Sequence, residues 1–396
     1  MAFVSVILFL IPALVRIRTI FKIALLAPIP AITRRTRINK MVGVFLENDI
    51  EVDFFGWKRD HSELTDVPYD SKRVTENLIL TGGGYASWKT RVMYPVWMTI
   101  VFFTVLRLGR KKTIFCLGWE TAFPAKLASM FTRSTIIFDD ADRFSLIFSL
   151  PGLLKRILQS LERWTSRTVA LHIIPGWSRY DWKHDRMMVL RNAPTTTDFL
   201  EAAKLAPEKP PKDLVVYANG WIGQTRGAPI FLAALNKIAE KKLNLSLLIA
   251  GRLDCPDGIA LSKHPLVTYY GEVSQKKALS LYPISDIVMT FYDPKVPINR
   301  KAESNKWGDC VFFKKPFIVN SEVETAQNFT EKRAAFSTKY DDISQLVNLL
   351  ESLLLDKALL YEAEKLILKF KDDYPVFENG MLRVIEVVKL QGSQEK

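Results

Sequence analysis

The chain has 396 residues and a formal net charge of +13, because 55 Lys and Arg residues outnumber 42 Asp and Glu residues. A single hydrophobic core stops growing at roughly 250–300 residues, so this length predicts two domains. A composition of 48% hydrophobic and 24% charged residues excludes a disordered chain, and three cysteines without a CxxC pair exclude a disulfide framework and indicate a reducing compartment.

The basic excess predicts an anionic partner: nucleic acid, a phosphorylated substrate or an acidic membrane surface. The sequence contains no RNP signature, zinc-finger spacing or basic zipper, so we expect no nucleic-acid partner. A membrane surface or a lipid-phosphate acceptor therefore fits the charge better.

The N-terminal residues 1–15 are apolar, but Pro12 interrupts them and Arg16 and Arg18 follow them. The run is shorter than the roughly 20 residues that span a bilayer. A secretory signal carries its positive charge before the apolar run, whereas here the charge follows. Residues 1–20 are therefore either an interfacial membrane anchor, an element packed on the first domain, or a segment upstream of the true start.

Short apolar runs in the first half of the chain predict the buried strands of a parallel α/β sheet. The first run, residues 22–28, ends at Pro28 and leads to a helix at residues 35–48, whose apolar residues recur every three or four positions. Five further strands are predicted at residues 51–56, 113–118, 134–139, 169–175 and 187–191.

One strongly apolar stretch, residues 93–108, has two interpretations. It is either a helix that docks on a membrane or a buried crossover helix of the first domain. Its 16 residues are few for a membrane span, and Pro95 lies inside it, so we favour the buried helix.

A Thr- and Pro-rich stretch at residues 192–213 predicts an interdomain hinge, after which the alternation of strands and helices starts again. Strands are predicted at residues 214–218, 245–250, 267–270, 286–291 and 316–320. Beyond Pro375, a last helix is expected to cross back to the first domain. The fold class is thus α/β, with two Rossmann-like, doubly wound parallel sheets facing a central cleft, divided as 1–194, 195–371 and a returning helix at 372–396.

In open parallel sheets, ligands bind beyond the carboxyl ends of the strands, so the loops at those ends are the candidate sites. After the first strand of the second domain, Gly220 and Gly227 allow close backbone approach, and Arg226 is placed to meet a diphosphate at a helix N-terminus. Arg252 follows the next strand. Val273 follows the third, where a nucleotide base could rest against the backbone.

A second candidate group opens a predicted helix further along the chain. Asn305 and Lys306 lie in its first turn, and Asp309 follows Lys306 by three positions, so the two charged side chains share a face. Lys306 would neutralise a phosphate while Asp309 accepts hydrogen bonds from two ribose hydroxyls. The alternative is an ordinary ion pair between Lys306 and Asp309.

These segments resemble the retaining, family-4-like glycosyltransferases of the GT-B fold, which build bacterial surface polysaccharides. The resemblance is strongest over residues 214–320 and is carried by residues 217–227, Tyr269-Tyr-Gly-Glu-Val273, residues 285–294, Ser304-Asn-Lys-Trp-Gly-Asp309 and Lys315-Pro-Phe-Ile318. It implies that a nucleoside-diphosphate sugar, UDP-linked, is the donor and that no metal or other cofactor is needed. It also implies that Arg226 and Lys306 bind the diphosphate and Asp309 the ribose.

The sequence departs from that family at two positions. The family has a second carboxylate eight residues before Asp309, where this chain has Lys301, with Glu303 nearby. The arginine expected five residues before Arg226 is Trp221. Either the donor sugar is held in a modified arrangement, or the chain binds the nucleotide sugar with little or no turnover.

On the acceptor side, Asp140, Asp142 and Arg143 follow an apolar strand, and Glu120 follows the preceding one. Clustered carboxylates at strand ends orient or deprotonate a sugar hydroxyl, so these four are the candidate catalytic residues. An Asp-rich helix cap is the alternative for the aspartates, and a capping or stacking role is the alternative for Glu120. The four histidines have no metal-ligand spacing and are expected to be structural.

We therefore expect a cytoplasmic glycosyltransferase, peripheral on the inner face of the cell membrane, that moves a sugar to a lipid-linked or polysaccharide acceptor. Two other functions stay open. A nucleotide-sugar 2-epimerase of the same fold would convert the sugar nucleotide without an acceptor. A non-catalytic nucleotide-sugar-binding partner would bind UDP and turn nothing over.

Overall fold

The computed structural model describes residues 21–60, 69–70, 72–84, 88–147 and 151–393. The predictions made for residues 1–20 lie outside this part of the chain. Within the described residues, the polypeptide forms two parallel β-sheets with helices on both faces.

The first sheet has the strand order β3-β2-β1-β4-β5-β6-β7, and the second has the order β10-β9-β8-β11-β12-β13. Every recorded strand pairing is parallel. The strands are β1 (Phe21–Ala27), β2 (Ile50–Lys58), β3 (Val74–Thr81), β4 (Thr113–Leu117), β5 (Thr135–Asp139), β6 (Leu171–Ile174), β7 (Met187–Val189), β8 (Leu214–Asn219), β9 (Leu245–Ala250), β10 (Val267–Tyr269), β11 (Ile287–Thr290), β12 (Phe317–Asn320) and β13 (Phe336–Thr338). In each sheet the chain starts at an inner strand, β1 or β8, adds strands toward one edge, and then continues on the other side of the starting strand. This confirms the predicted doubly wound topology.

The helices, with a few short 3-10 turns, fill the connections between the strands. They are α1 (Thr36–Glu47), α2 (Trp88–Leu108), α3 (Trp119–Thr132), α4 (Phe144–Ile147), α5 (Gly152–Thr168), α6 (Thr196–Lys204), α7 (Ala228–Glu240), α8 (Pro256–Ser262), α9 (Gln275–Leu279), α10 (Pro297–Arg300), α11 (Asn305–Phe313), α12 (Gln327–Glu331), α13 (Ile343–Leu355), α14 (Lys357–Ile367) and α15 (Phe377–Ser393).

The continuous apolar runs form strands because both faces of each sheet are covered. In β1, Leu25 packs into the core on the α1 and α15 side of the first sheet, whereas its neighbour Leu26 packs into the core on the α2 and α3 side. Successive side chains of a strand point to opposite faces, so a strand between two helix layers requires apolar residues at every position.

The chain crosses between the two sheets twice, at adjacent points. The first crossing ends at α6, where Thr195 and Asp198 form a capping box. The second precedes α15, and the Phe377 amide donates to the Pro194 carbonyl at 3.3 Å. We call β1–β7, α1–α5 and α15 the N-lobe, and α6–α14 with β8–β13 the C-lobe. Apolar residues of α15 complete the N-lobe core: Phe377, Met381, Val384, Ile385 and Val388.

Helix α2 differs from the buried helix favoured by the sequence. It spans 21 residues and buries Trp97, Val101 and Val105, but Trp88 and Phe103 are exposed. Among the described residues, it is the one helix that is long and apolar enough to cross a membrane by length and composition. One face of α2 is therefore a core face, and the other is exposed among the described residues.

Helix α11 packs closely on the first crossing. A Cβ atom added at Gly308 would lie 2.2 Å from the Asn192 carbonyl oxygen and 3.0 Å from Cα of Ala193. The contact brings the start of α11, which bears Asn305 and Lys306, against the segment that joins the lobes.

Replacing Gly308 by Ala is expected to lower the free energy of unfolding by about 1–3 kcal/mol, the usual range for an overpacked site. Gly43→Ala is the matched control, because Gly43 also lies within a helix, yet among the described residues no atom would lie within 4 Å of its added Cβ. That control should gain up to about 1 kcal/mol from helix propensity. Denaturant unfolding followed by circular dichroism measures both, and equal effects would contradict the tight contact at α11.

Candidate functional site

Two adjoining cavities lie between the lobes, at the carboxyl ends of both sheets. The N-lobe cavity, of about 300 Å³, is lined by Pro28, Arg35, Arg59, Tyr94, Leu117, Gly118, Glu120, Ala141, Asp142, Ile147, Arg226 and Ile298. The C-lobe cavity, of about 370 Å³, is lined by Arg35, Asn219, Trp221, Ile222, Arg226, Phe231, Met289, Thr290, Phe291, Tyr292, Asn305 and Lys306. Arg35 and Arg226 line both, so the two cavities are halves of one cleft.

Glu120 is the buried acid of the N-lobe cavity. It lies in the first turn of α3, and its carboxylate folds back over Gly118, where an added Cβ would lie 2.6 Å from Glu120 Oε2. Burial raises the pKa of Glu120 to about 7. A carboxyl group with this pKa changes its protonation state near neutral pH, as a general acid or base must.

Asp142 is the exposed acid of the same cavity. It follows β5, and its side chain is 44% exposed. Arg35 lies 3.5 Å away and Arg179 lies 3.2 Å away, so two guanidinium groups hold this carboxylate. The cavity therefore contains two carboxyl groups in contrasting environments, one buried in the protein and one paired with cations at the mouth.

The other two acceptor-side candidates do not line either cavity. Asp140 is 2% exposed and accepts a hydrogen bond from the Tyr180 hydroxyl at 2.7 Å. Arg143 is also buried, and it pairs with Glu162 at 3.1 Å and lies 4.5 Å from the Trp182 ring centroid. The structure thus brings Glu120 and Asp142 to the cleft and gives Asp140 and Arg143 interior partners that support the end of β5.

Arg226 and the start of α11 form one wall of the C-lobe cavity. The Arg226 guanidinium lies 4.7 Å from the ring centroid of Tyr292, whose hydroxyl donates to Ser304 Oγ at 2.6 Å. Ser304 is the N-cap of α11 and accepts from the Lys306 amide at 3.3 Å. Asn305 and Lys306 then face the cavity from the first turn of a nine-residue helix. A helix N-terminus with two cationic side chains is an anion-binding arrangement.

The predicted glycines allow this wall to form. Gly220 has φ +87°, and an added Cβ would lie 3.2 Å from Lys306 Nζ, so the ammonium group rests directly over the end of β8. Gly227 has φ +91° and caps α7, and an added Cβ would lie 2.8 Å from Cβ of Phe291. Both positions need a left-handed backbone and the small volume of glycine.

Asp309 lies beneath the cavity and is not among the residues that line it. It is 5% exposed and accepts a hydrogen bond from the Tyr282 hydroxyl at 3.3 Å. Burial raises the pKa of Asp309 to about 6, against the opposing charges of Lys40 and Lys306. Lys40 belongs to α1, so Asp309 lies at the junction of the lobes. Its contact with a ribose stays a prediction.

Two of the residues predicted to contact the nucleotide are not among those that line the C-lobe cavity, and their role stays a prediction. Arg252 is exposed and pairs with Asp254 at 3.3 Å. Val273 is half-buried and packs against the core of the C-lobe.

The sequence assigned no role to three residues that line the cleft. Arg35 follows β1 and reaches both cavities. Trp221 is 53% exposed in the C-lobe cavity. Arg59 follows β2, stacks 4.6 Å from the Trp57 ring and donates to the Tyr94 hydroxyl at 3.2 Å. Their positions in the loops that follow strand ends are the signal that would have found them.

Glu303, the carboxylate near the family's missing acidic position, crosses between the lobes. It pairs with Arg191 at 2.8 Å and accepts from the Ser178 hydroxyl at 3.0 Å. The Glu303 carboxylate packs directly against Gly176, where an added Cβ would lie 1.9 Å from Glu303 Oε1, so a larger residue at position 176 would clash with it. Beside it, Arg179 Nε donates to the Lys301 carbonyl at 2.9 Å. Glu303 and Lys301 therefore join the lobes and do not line the C-lobe cavity.

No protein-family model matches the chain. No curated protein matches it either.

Solved structures match over nearly the whole length. Sucrose-phosphate synthase from Thermosynechococcus elongatus has 13% identity and a TM-score of 0.67, covering 94% of this chain and 100% of that one. An α,α-trehalose-phosphate synthase (UDP-forming) from Burkholderia vietnamiensis has 10% identity and a TM-score of 0.66, covering 94% and 100%. A putative UDP-N-acetylglucosamine 2-epimerase from Listeria monocytogenes has 10% identity and a TM-score of 0.59, covering 94% and 97%. At these identities the likeness concerns the fold alone, and it confirms the predicted GT-B arrangement.

Glu120→Gln is expected to stabilise the protein in a pH-dependent manner. Because the pKa of Glu120 is raised to about 7 from 4.5, its neutral form stabilises the fold below pH 4.5, and this contribution is lost as the pH rises through 7. Glutamine mimics the neutral form at every pH. The gain in melting temperature over wild type should be small at acidic pH and largest above pH 7.

Glu47→Gln, at an exposed position of α1, is the control for this experiment. It should show no comparable pH-dependent gain. A pH-independent difference between Glu120→Gln and wild type would contradict the raised pKa.

Proposed function

We propose that this chain transfers a sugar from a nucleoside-diphosphate sugar, a UDP-sugar, to a hydroxyl group of an acceptor bound in the N-lobe cavity. The observation that carries the proposal is that Arg35 and Arg226 line both cavities. A diphosphate between them would leave its sugar at the boundary of the two cavities, next to an acceptor in the N-lobe cavity. This is the geometry that a group transfer between two bound substrates requires.

The donor would lie along the wall made by Arg226 and the start of α11. Negative charge grows on the diphosphate as the bond to the sugar breaks. Arg226, Lys306, Arg35 and the amide groups of the first turn of α11 would stabilise that charge without reorganisation, because their positions are fixed by the fold. Trp221 offers an exposed aromatic face where the family has an arginine, and we assign it to the donor sugar or base.

On the acceptor side, Glu120 would receive or orient the proton of the attacking hydroxyl, and Asp142 would hold the acceptor at the mouth. The pKa of about 7 at Glu120 suits a base that works near neutral pH. Retention of configuration and independence from metal ions enter the proposal from the family-4-like resemblance of residues 217–227 and 304–309.

The proposed acceptor is lipid-linked or a growing polysaccharide, and the proposed location is the inner face of a bacterial cell membrane. The net charge of +13 and the exposed apolar side chains of α2 support this placement.

A 2-epimerase is the second candidate, because a putative UDP-N-acetylglucosamine 2-epimerase shares the fold with a TM-score of 0.59. It would need no acceptor, whereas a transferase needs one. A non-catalytic partner, the third candidate, would bind UDP and yield no product.

Calorimetry with UDP tests the nucleotide site. Arg226→Ala and Lys306→Ala should each weaken binding by roughly tenfold or more, since a charge-assisted hydrogen bond is worth about 1.5–3 kcal/mol. Lys263→Ala removes an exposed cation of the same lobe, at the C-terminal end of α8 before β10, so it is the matched control and should leave the Kd of UDP unchanged. Undiminished binding in both cavity variants would reject the site.

Product analysis tests the reaction. Wild-type protein with UDP-sugars and candidate acceptors should release UDP and form a glycoside, and kcat/KM should rise with pH through about 7 as Glu120 ionises. Glu120→Gln should lower kcat by about 10²–10⁴-fold while retaining UDP binding.

A C2-epimerised sugar nucleotide formed without acceptor would identify the epimerase. UDP binding without any product, across donors and acceptors, would identify the non-catalytic partner. NMR of the glycoside anomeric centre would decide between retention and inversion.

A further inference from the structure

The outward side of α2 forms an apolar stripe. Trp88, Val92, Val96 and Phe103 are 71%, 57%, 40% and 62% exposed. At 3.6 residues per turn these four positions fall within about 80° of one another, so they form one line along a helix about 31 Å long. The buried residues Trp97, Val101 and Val105 lie on the opposite side. A helix on the surface of a globular protein normally shows polar residues on its outer face.

The charges around this stripe have one sign. The sequence of α2 contains no Asp or Glu, and Lys89 lies in its first turn. Its other end and the turn after it carry four exposed cations: Arg107, Arg110, Lys111 and Lys112. An aromatic and aliphatic stripe between basic ends is the composition of segments that lie in the interface of an anionic bilayer.

The first turns of α5 repeat the pattern on the same side of the first sheet. Leu153, Leu154 and Ile157 are 72%, 54% and 49% exposed, with Arg156 among them. Helices α2 and α5 both pack against α3, so they cover the same side of the sheet. We call these three residues and the four of the α2 stripe the α2–α5 face.

The N-lobe cavity lies at one end of this face. Tyr94 lines it from the buried side of α2, and Ile147 of α4, which also lines it, is 43% exposed. The start of α2 and the start of α5 both lie toward the carboxyl ends of the strands, where the cavity is. A surface that covers the starts of both helices therefore reaches the end of the sheet at which the cavity lies.

Charge complementarity selects the occupant of the face. A second copy of the chain on the same face would bring two basic rims together, and like charges in a dry interface are unfavourable. An acidic lipid surface offers opposite charge to the rims and an apolar interior to Trp88 and Phe103.

We propose that the α2–α5 face docks on an anionic lipid surface and holds the N-lobe cavity at the headgroup layer. The acceptor is then a membrane-anchored molecule that enters from the lipid side. Only this second statement rests on the proposed function. The docking itself rests on the exposed side chains and their charges.

Flotation of the full chain with vesicles tests the docking surface. Wild type should bind vesicles of mixed phosphatidylglycerol and phosphatidylcholine, and bind phosphatidylcholine vesicles weakly. The double variant Val92→Glu/Val96→Glu should lower the partition coefficient by roughly tenfold or more, because it places two carboxylates in the anionic interface. The matched control is Leu355→Glu/Leu382→Glu, at positions 80% and 52% exposed on α13 and α15, and it should stay close to wild type.

Calorimetry with UDP on the same proteins separates this proposal from the proposed function. Reduced vesicle binding with unchanged UDP binding supports the docking surface, since the fold and nucleotide site are then intact. Equal vesicle binding by Val92→Glu/Val96→Glu and wild type overturns it. A dimer in solution that the double variant dissociates would also overturn it, as the face would then join two copies. Absence of UDP binding in wild type would reject the proposed function and leave the docking result standing.

Discussion

The geometry of the cleft depends on one buried ion pair, between Arg37 of α1 and Asp139 at the end of β5. Arg37 Nη2 donates to Asp139 at 2.8 Å and its Nε at 2.9 Å, while Nη1 donates to the Leu190 carbonyl and to Asn192 Oδ1, each at 2.9 Å. One guanidinium thus joins the first helix, the strand that leads to the acidic residues and the start of the crossing to the C-lobe. With both side chains buried, loss of either partner would leave an uncompensated charge in the protein interior.

The Arg37–Asp139 pair positions the residues that line the cleft. Arg35 lies two positions before Arg37 and Asp142 lies three after Asp139, so the buried pair sets where these two meet at 3.5 Å. The C-lobe then approaches through Glu303, whose pKa is raised by burial and whose charge is met by Arg191. Cations of both lobes consequently converge where the cavities join, while the carboxyl groups stay on the N-lobe side. This separation of charge is what the proposed transfer would use.

The sequence was most informative where a local rule decides the structure. Strands buried on both faces appear as apolar runs, and a basic residue in a loop after such a strand reaches the cleft, as Arg226 does. Strand β3 was not predicted because it is an edge strand in which all residues but one are exposed or half-buried. Asp140 and Arg143 could not be separated from Asp142 by spacing, since their burial depends on Tyr180 and Glu162, which are 40 and 19 residues away. The outer side of α2 was not predicted either, because the overall hydrophobicity of a segment does not show which side is covered.

The return of α15 to the N-lobe has a consequence for folding during synthesis. The side chains that close one side of the first sheet come from α15, from Phe377 to Val388, which follows the whole C-lobe in sequence. When all seven strands of that sheet have emerged from the ribosome, the nascent chain still lacks this layer. Domains made of contiguous sequence, in contrast, can fold as they leave the ribosome. The C-lobe is synthesised after the N-lobe strands, yet all of its helices and strands are complete before α15 is made. The N-lobe therefore keeps an apolar surface uncovered until the whole C-lobe and then α15 have been synthesised.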